Sequence, residues 1–329
     1  MKIDFYSEET PEFLNEFAQT KAMERLKNVG MHCGCEYTNF ERFKNLKPYS
    51  RFDHSLGAAK IVWNFTHDKA QTLATLFHDI ATPVFAHTID FLNGDSLTQE
   101  STELLTEDFI KNDSKIMELL EKYNLKIEDV NDYHKYPICD NNSPKLSSDR
   151  LEYTINNIVN FGFEDLKTVK KYYDNLEVGQ LPGGETEIVF KNADEAIGFA
   201  ENALKCSKIY VSDEDRFSMQ ILSEIIDIAL KKNVLTLDDL YTTEPEVIAK
   251  LEASEETKNE WRYFRQFSKI VKDETVPLSR RRTIFAKKRY IDPFIKGVGR
   301  LSEQNNPFRP DLFDYIQSSQ DYWVSAEIE

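Results

Sequence analysis

Apolar residues recur at intervals of three and four in one segment of this chain after another, and this spacing constrains the fold more than any other feature. The segment from Thr72 to Ile80 carries Leu73, Leu76 and Phe77 at this spacing before Pro83 ends it. Glycine and proline, which interrupt helices, number only 11 each among 329 residues. The same spacing predicts further helices at Leu56 to Phe65, Ser101 to Leu120, Asp149 to Phe161, Ala196 to Cys206 and Arg216 to Lys231, the last capped by Asp213. The sequence therefore predicts an all-α fold.

One stretch has the pattern of β-structure instead. In residues 176–190, LEVGQLPGGETEIVF, two short runs flank a Pro-Gly-Gly turn, which predicts a small β-hairpin at the surface. Further along, Thr236 and Asp239 have the spacing of a capping box at the start of a helix. We expect the hairpin to separate two units. Residues 1–172 are expected to form a helical domain that carries all six histidines, and in residues 173–329 the hairpin is expected to precede a helical region packed on that domain.

The charge and cysteine content exclude several classes of protein. With 57 Asp and Glu against 41 Lys and Arg, the formal net charge is −16, which repels nucleic acid backbones, so we do not expect nucleic acid as a partner. No stretch approaches the about 20 apolar residues of a membrane span, and the start, MKIDFYSEET, lacks the order of a signal peptide. We therefore expect a cytoplasmic protein without membrane contact. Its four cysteines should be reduced, and Cys33 and Cys35 lack the spacing and the second pair of a structural zinc site.

One dense basic run stands out against this acidic background. Six of the twelve residues from Ser279 to Tyr290, SRRRTIFAKKRY, are Lys or Arg. A solvated helix face that balances acidic neighbours is one interpretation of this run, and an anion-binding surface is the other. The sequence leaves its role open.

Histidine is concentrated in a short part of the chain, since four of the six histidines lie within residues 51–87. His78 and Asp79 stand together at the end of an apolar helix, where burying either group without a partner costs several kcal/mol. Either a divalent metal or a hydrogen-bonding partner satisfies them. His54 lies at the start of another amphipathic helix, so two antiparallel helices can bring it against His78. We expect His67, in a polar turn, to be solvent-exposed, and we assign His134 to a loop, from which a histidine can also line a pocket.

Three segments, in this order, resemble the motifs of the HD phosphohydrolase superfamily. YSRFDHSLG at 49–57 resembles its SRFxHSLG segment, LFHDIATPVFAH at 76–87 resembles LxHDIGxxPFSH, and SDRLEY at 148–153 is similar to DRxDY. The branch concerned contains the deoxynucleoside triphosphate triphosphohydrolases. The resemblance implies an HD-domain helical bundle and a metal-dependent phosphohydrolase.

The resemblance also implies the ligands of one divalent metal ion, which is Mn, Fe, Ni, Zn, Co or Mg. Two imidazoles and two carboxylates nearly neutralise such an ion, keep it Lewis-acidic and let it acidify water, so that metal-bound hydroxide attacks phosphorus. Members with two metals use further histidines, including an adjacent His-His pair that this chain lacks, so we expect one ion. The implied ligands are His54, His78, Asp79 and Asp149.

Four further residues receive roles at the scissile phosphate. His87 and Asp90 are three residues apart, and the resemblance makes them a general acid and its partner, although a structural histidine is the alternative. Arg51 and Arg150 each adjoin a proposed ligand, and a guanidinium matches phosphate geometry, so we assign both to phosphate binding. Structural salt bridges are the alternative for either arginine.

The match departs from the family pattern on the substrate side. Thr82 and Gln99 stand where triphosphohydrolases often place histidines, and Asn156-Asn157 replaces the family's downstream RD. Gln99 cannot transfer a proton as histidine does, whereas Asn157 can still bind a sugar hydroxyl. These departures weaken the expectation of triphosphohydrolase activity but retain hydrolysis of some phosphate ester. The residues assigned to substrate binding are Gln99, Tyr153 and Asn157.

The leading hypothesis is thus a metal-dependent phosphohydrolase that acts on a nucleotide or another small phosphate ester. The alternative is a catalytically degenerate sensor that binds a nucleotide in the same pocket. A third hypothesis, nucleic-acid binding through Arg280 to Arg289, is disfavoured by the overall acidity. We also expect that the chain can form a homo-oligomer.

Overall fold

The computed structural model of the chain describes residues 3–92, 97 and 105–328. The protein is 55% helical. Sixteen α-helices lie in these ranges: α1 Glu12–Ala18, α2 Lys21–Arg25, α3 Glu41–Lys44, α4 Arg51–Thr66, α5 Lys69–Phe77, α6 Thr88–Leu92, α7 Thr106–Asn112, α8 Ser114–Lys122, α9 Ile127–Val130, α10 Ser148–Asn160, α11 Leu166–Asp174, α12 Ala193–Tyr210, α13 Asp213–Lys231, α14 Glu244–Ala253, α15 Lys258–Arg265 and α16 Phe308–Gln317. Short 3-10 helices are formed by Leu26–Asn28, Cys35–Tyr37, Tyr133–Lys135, Asp238–Tyr241, Leu278–Arg280 and Leu301–Glu303.

Most of the predicted helices are confirmed, with boundaries that differ by a few residues. One prediction was wrong: the segment from Ser101 to Leu120 is not a single helix. Its first four residues lie outside the described part of the chain, and the rest divides into α7 and α8 at Asp113. The backbone of Asp113 is extended, and its carboxylate accepts hydrogen bonds from the amides of Lys115 and Ile116, so it caps the second helix.

Two capping predictions had different outcomes. Asp213 was predicted to cap α13, but the cap is Ser212, whose hydroxyl accepts from the amide of Asp215, and Asp213 is the first helical residue. The capping box of Thr236 and Asp239 is present, with the Thr236 amide donating to the Asp239 carboxylate at 2.9 Å. It opens the 3-10 helix Asp238–Tyr241 rather than an α-helix.

Seven short strands in the described residues make the all-α prediction only approximate. They are β1 Leu176–Gln180, β2 Thr186–Phe190, β3 Phe267–Val271, β4 Arg282–Thr283, β5 Phe294–Ile295, β6 Gly299–Arg300 and β7 Trp323–Ile328. The predicted hairpin is confirmed as β1–β2, but β2 is largely buried and continues into a four-stranded sheet in the order β1-β2-β5-β6. The second sheet has the order β3-β7-β4, and the buried side chains of Val324 and Ala326 pack it into the core.

Three buried clusters form the core. One joins α10, α12, α16 and the hairpin, a second joins α13, α14, α15 and β7, and a third joins α1, α5 and α8. The first two clusters each take residues from both sides of position 172. Helix α4 packs against both α5 and α10, and these three helices carry or adjoin the three motifs. Among the described helices, none combines the length and the apolar character that crossing a bilayer requires.

Candidate metal centre and active-site cavity

The start of α4 places His54 by a local sequence signal. Ser50 caps the helix: its hydroxyl accepts from the Asp53 amide at 3.1 Å, and the Asp53 carboxylate accepts from the Ser50 amide. This capping box sets the first turn, in which Arg51 is the first helical residue and His54 lies one turn further. Both side chains are buried.

His78 lies where α5 ends, and its tautomer is set by the helix itself. Its Nδ1 lies 2.6 Å from the carbonyl oxygen of Thr75 and donates to it. The Nε2 atom is then left with a lone pair. Because helix α5 packs against α4, this atom lies 3.1 Å from Nε2 of His54.

Asp149, in the first turn of α10, completes a cluster that we call the metal cluster together with His54, His78 and Asp79. Its Oδ1 lies 3.0 Å from Nε2 of His54 and 3.6 Å from Nε2 of His78. One ligand atom from each of these three residues lies within 4.8 Å of the other two. The structure therefore brings together side chains that are 95 residues apart in the chain.

Asp79, the fourth predicted ligand, lies at the edge of this cluster. Its Oδ2 is 3.5 Å from Nε2 of His78 and 3.8 Å from Nε2 of His54. The same carboxylate forms a buried ion pair with Arg51 at 3.0 Å and accepts a hydrogen bond from Thr82 at 2.7 Å. Burial raises the pKa of Asp79, but the charges of Arg51 and the two histidines outweigh burial and hold it well below its ordinary value.

Glu152 is a buried partner of the metal cluster that sequence reasoning missed. Its Oε2 lies 2.6 Å from Nδ1 of His54 and also accepts from the Tyr49 hydroxyl. It lies three residues after Asp149 and therefore on the same face of α10, and this spacing is the sequence feature that could have identified it. Burial lowers the pKa of His54, but the hydrogen bonds with Asp149 and Glu152 outweigh burial and raise it to about 10.

The donor set fits a divalent metal ion. Two imidazole Nε2 atoms and a carboxylate oxygen converge. The neighbouring carboxylates raise the pKa of His54, which shows that the centre of the cluster favours a positive charge. Both imidazoles are oriented by hydrogen bonds at Nδ1, one to Glu152 and one to a backbone carbonyl, which leaves each Nε2 directed at the centre of the cluster, as in histidine metal sites. Nitrogen and oxygen ligands without thiolate are compatible with several divalent metals.

His87 and Asp90 form a second histidine–carboxylate pair beside the cluster. Nδ1 of His87 lies 2.8 Å from Oδ2 of the fully buried Asp90. The preceding turn has positive φ at Phe85 and Ala86, and the carboxylate of Glu244 accepts from the amide of Phe85. Burial and the neighbouring positive charges of Arg289 and Arg51 outweigh Asp90 and lower the pKa of His87.

A cavity of about 240 Å³ opens on the metal cluster and on His87. Its lining joins side chains from both halves of the chain. Besides the metal cluster, it includes Met31, His32, Cys33, Phe43, Arg51, Thr82, Ala86, His87, Tyr133, His134, Asp140, Arg150, Tyr153, Asn157, Phe161, Tyr210, Asp215, Met219, Lys287 and Arg289. The arrangement can therefore hold a small ligand directly against the candidate metal centre.

The two arginines assigned to phosphate already have protein partners. Arg51 pairs with Asp79, although its buried Nε has no hydrogen-bond partner. The guanidinium of Arg150 forms an ion pair with Asp140 at 3.0 Å and donates to the carbonyl oxygens of Lys145 and Asn141. Both arginines line the cavity, and each forms an ion pair with another residue of the cavity wall.

Of the residues assigned to substrate binding, Tyr153 and Asn157 line the cavity, and Gln99 lies outside the described residues. Asn157 donates to the Tyr210 hydroxyl at 2.8 Å, and its Oδ1 lies 3.3 Å from Nε2 of His32. Burial lowers the pKa of His32 to about 4, so this imidazole is neutral at pH 7. These residues give one part of the cavity uncharged hydrogen-bonding groups.

Sequence reasoning missed the part of the lining that comes from residues after 200. We call Tyr210, Asp215, Met219, Lys287 and Arg289 the C-terminal lining. Burial raises the pKa of Asp215 to about 8. The basic run was the one available signal, since Lys287 and Arg289 belong to it; nothing in the local sequence marks the other three.

Two of the predicted histidines, His67 and His134, lie at the surface. His67 is exposed and ends α4 in the left-handed conformation, with its ring centroid 5.1 Å from that of Trp63 and the two rings tilted by 51°. His134 is exposed, and it also lines the cavity, where its Nε2 lies 3.4 Å from Asp140. All four cysteines are free thiols.

No protein-family model matches the chain. Two curated proteins are similar in sequence. YdhJ, an uncharacterized protein from Bacillus subtilis, is 23% identical over 250 residues, which are 75% of this chain and 72% of that protein. The metal-dependent phosphohydrolase cns2 from Cordyceps militaris is 25% identical over 219 residues, which are 65% of this chain and 59% of the relative. The chain thus aligns with less than two thirds of that second relative's length.

A solved structure extends the similarity to the whole chain. A phosphohydrolase from Bacteroides thetaiotaomicron superposes with a TM-score of 0.64, covering 98% of this chain and 97% of its own at 14% identity. The chain therefore has the fold of that phosphohydrolase, over essentially its full length.

Proposed function

We propose that this protein is a metal-dependent phosphohydrolase of the HD type that acts on a small phosphorylated substrate. The observation that carries the proposal is the convergence of His54, His78 and Asp149 at the wall of a ligand-sized cavity. The name of the similar Cordyceps protein and the fold shared with a Bacteroides phosphohydrolase support the same reaction class. The three motifs agree with both.

One divalent ion is held by His54, His78, Asp79 and Asp149 in this proposal. When bound, the ion supplies Lewis acidity at phosphorus and acidifies water at neutral pH. The protein contributes orientation: Glu152 and the Thr75 carbonyl fix the two imidazoles, and Arg51 and Thr82 fix the Asp79 carboxylate. The charge of two carboxylates keeps the loaded centre close to neutral.

His87 transfers the proton to the leaving group in this scheme. With its Nδ1 hydrogen-bonded to Asp90, Nε2 is the atom that exchanges a proton with the substrate. Burial, together with the nearby positive charges of Arg289 and Arg51, lowers the pKa of His87 and so makes its protonated form a stronger acid. Asp90, which is fully buried, keeps the ring in one orientation.

We assign Arg51 and Arg150 to the phosphate group and Tyr153 and Asn157 to the remainder of the substrate. Arg51 retains a buried donor, Nε, without a protein partner, which favours an oxygen ligand there. Aromatic and neutral hydrogen-bonding groups in the cavity, Tyr153 and Asn157 with Tyr210 and His32, suit a nucleoside.

The experiment is a substrate screen with product identification. Protein stripped of metal is reloaded separately with Mn, Fe, Co, Ni, Zn or Mg and incubated with nucleoside mono-, di- and triphosphates and other small phosphate esters. We expect metal-dependent release of inorganic phosphate from a monophosphate; pyrophosphate or tripolyphosphate as product would indicate cleavage nearer the sugar. The absence of any metal-dependent phosphorus-containing product across the screen would overturn the proposal.

A further inference from the structure

Glu244, the first residue of α14, is a buried acid whose carboxyl group meets two distant segments of the chain. Its Oε1 accepts from the amide of Gly30 at 2.9 Å and from the amide of Phe85 at 3.2 Å. Its Oε2 accepts from the Tyr37 hydroxyl at 2.7 Å. One side chain therefore satisfies three donors, two from residues 30–37 and one that lies 159 residues before it in the chain.

The first of these segments is joined to the helix that carries His54. Gly30 forms an antiparallel bridge with Ser50, which caps the start of α4. Beside this bridge, the amide of Arg51 donates to the carbonyl of Val29 at 2.8 Å. The bond to the Gly30 amide thus connects α14 to the start of the helix that supplies a proposed metal ligand.

The second segment is the turn that places His87 at the cavity. Phe85 and Ala86 have φ angles of 59° and 44°, in the left-handed region that is unfavourable for residues with a side chain. The amide of Val84 donates to the carbonyl of Leu240 at 2.8 Å, so two successive amides of this turn are held by the chain that leads into α14. Such a backbone conformation persists only where surrounding contacts hold it.

A single oxygen atom connects the two segments. Because Oε1 of Glu244 bonds the amides of both Gly30 and Phe85, it sets the separation between the start of α4 and the turn. His54 lies one helical turn into α4, and His87 lies two residues after Phe85. A misplacement of about 1 Å between reacting groups can cost about a hundredfold in rate, so this separation matters to the chemistry.

We propose that Glu244 is a positioning residue that holds the turn before His87 against the start of α4, and thereby keeps the proton donor in a fixed place beside the metal cluster. The role of His87 as proton donor rests on the proposed function. Glu244 is not one of the described residues that line the cavity, so it acts through Phe85 and Gly30 and not on the substrate.

The test compares three variants of α14. Glu244→Ala removes the acceptor of all three donors and leaves two amides without it. Glu244→Gln keeps an oxygen that can accept from both amides. Leu251→Ala is the matched control, because it removes a fully buried side chain seven residues further along the same helix and lowers stability without touching these hydrogen bonds.

The first measurement is the pKa of the His87 imidazole, by NMR of the full-length chain with labelled histidine in the presence of Zn²⁺. The His87→Gln variant assigns the resonance, and thermal melting is recorded for each variant. Burial is the largest cause that lowers the pKa of His87, so a loosened turn should raise this pKa toward the ordinary value of about 6.5. We expect this rise in Glu244→Ala, and wild-type values in Glu244→Gln and Leu251→Ala.

Kinetics provide the second measurement. With a substrate from the screen, Glu244→Ala should lower kcat about tenfold or more at full metal content and leave KM within about twofold, because the metal cluster and the substrate contacts are retained. Glu244→Gln should restore most of kcat. Should Glu244→Ala fail to fold, Glu244→Asp provides the same comparison, since its side chain is one methylene shorter.

The outcomes distinguish the two proposals. If the pKa of His87 is the same in Glu244→Ala and wild type, the inference is overturned. It is also overturned if Leu251→Ala moves this pKa as far at an equal loss of melting temperature, because the role of Glu244 is then merely structural. If wild type hydrolyses no phosphate ester but the pKa moves in Glu244→Ala alone, the positioning role stands and the proposed function fails.

Discussion

The metal cluster and the C-terminal lining face one cavity, but they are built in different ways. Each member of the metal cluster lies at a helix end that a local signal defines: the capping box before His54, the end of α5 at His78 and the Ser147 cap before Asp149. The C-terminal lining comes from the long helices α12 and α13 and from an extended segment that depends on distant anchors such as Gln320. Local helix signals thus position the residues of the metal cluster, whereas contacts between distant segments position the C-terminal lining of the cavity.

The same contrast holds for the electrostatics. In the metal cluster, carboxylates dominate, and they raise the pKa of His54 to about 10 despite its burial. At His87, burial and the charges of Arg289 and Arg51 dominate and lower the imidazole pKa, although Asp90 is 2.8 Å away. The two histidines therefore have opposite pKa shifts, because two carboxylates hydrogen-bond His54 and outweigh its burial, whereas His87 has one carboxylate partner that does not outweigh burial and the nearby positive charges. The first is suited to hold a cation and the second to transfer a proton.

The largest expected effect tests the metal cluster against a surface histidine. His78→Ala removes a buried proposed ligand, whereas His67→Ala removes an exposed histidine of the same sequence region. We expect His78→Ala to lose the metal and about a thousandfold of turnover, since the ion supplies several kcal/mol of transition-state stabilisation. Elemental analysis and phosphate release measure both. Equal metal content in the two variants would exclude His78 as a ligand.

The next effect should separate proton transfer from metal binding. His87→Gln removes the proposed proton donor and leaves the metal cluster intact, so we expect kcat to fall about a hundredfold or more at full metal content. Asp90→Asn should lower kcat less, because it only loosens the orientation of the ring. The measurement is kcat against pH at saturating substrate. If His87→Gln keeps the wild-type pH profile and rate, His87 is a structural histidine.

A smaller effect is expected from the partner of His54. Glu152→Gln keeps the size of the side chain but weakens the hydrogen bond that orients the imidazole and supports its basicity. Metal affinity should fall about ten- to a hundredfold, as is usual when a residue that hydrogen-bonds a metal-ligating histidine is changed. Competition with a chelator gives the affinity, and Glu118→Gln on the exposed face of α8 is the matched control. An unchanged metal affinity would show that Glu152 contributes to packing and not to metal binding.

The smallest expected effect concerns stability and the C-terminal lining. Burial raises the pKa of Asp215 to about 8, above its ordinary value of about 3.9, so the folded state binds the proton more tightly than the unfolded state. Its contribution to stability is complete at low pH and is lost as pH rises toward about 8. Between pH 6 and pH 8.5, the melting temperature of wild type should therefore fall by more than the melting temperature of Asp215→Asn. Equal slopes would contradict a buried, protonated Asp215.

Several features of the fold and the site were predictable from sequence because they depend on neighbours within one turn. Helix periodicity placed α4, α5, α10, α12 and α13, and the Pro-Gly-Gly turn placed the hairpin. The break at Asp113 was not predicted, since an aspartate between two apolar stripes suits both a helix surface and a cap. Strands β3 and β7 were missed because their pairing partners lie about 55 residues apart.

The sequence by itself determined the helical class and the hairpin, because helix periodicity and turn chemistry are local properties. The residues that meet in the metal cluster were named by the resemblance of three short motifs to those of the HD phosphohydrolase superfamily. Only the tertiary structure decided that Glu152 supports His54, that Arg51 and Arg150 are paired with carboxylates, and that Lys287 and Arg289 reach the cavity. Those relations depend on how burial and charge balance between segments far apart in the chain. No local sequence pattern specifies these contacts, because each charged side chain could pair with many others in the chain until packing brings one of them close.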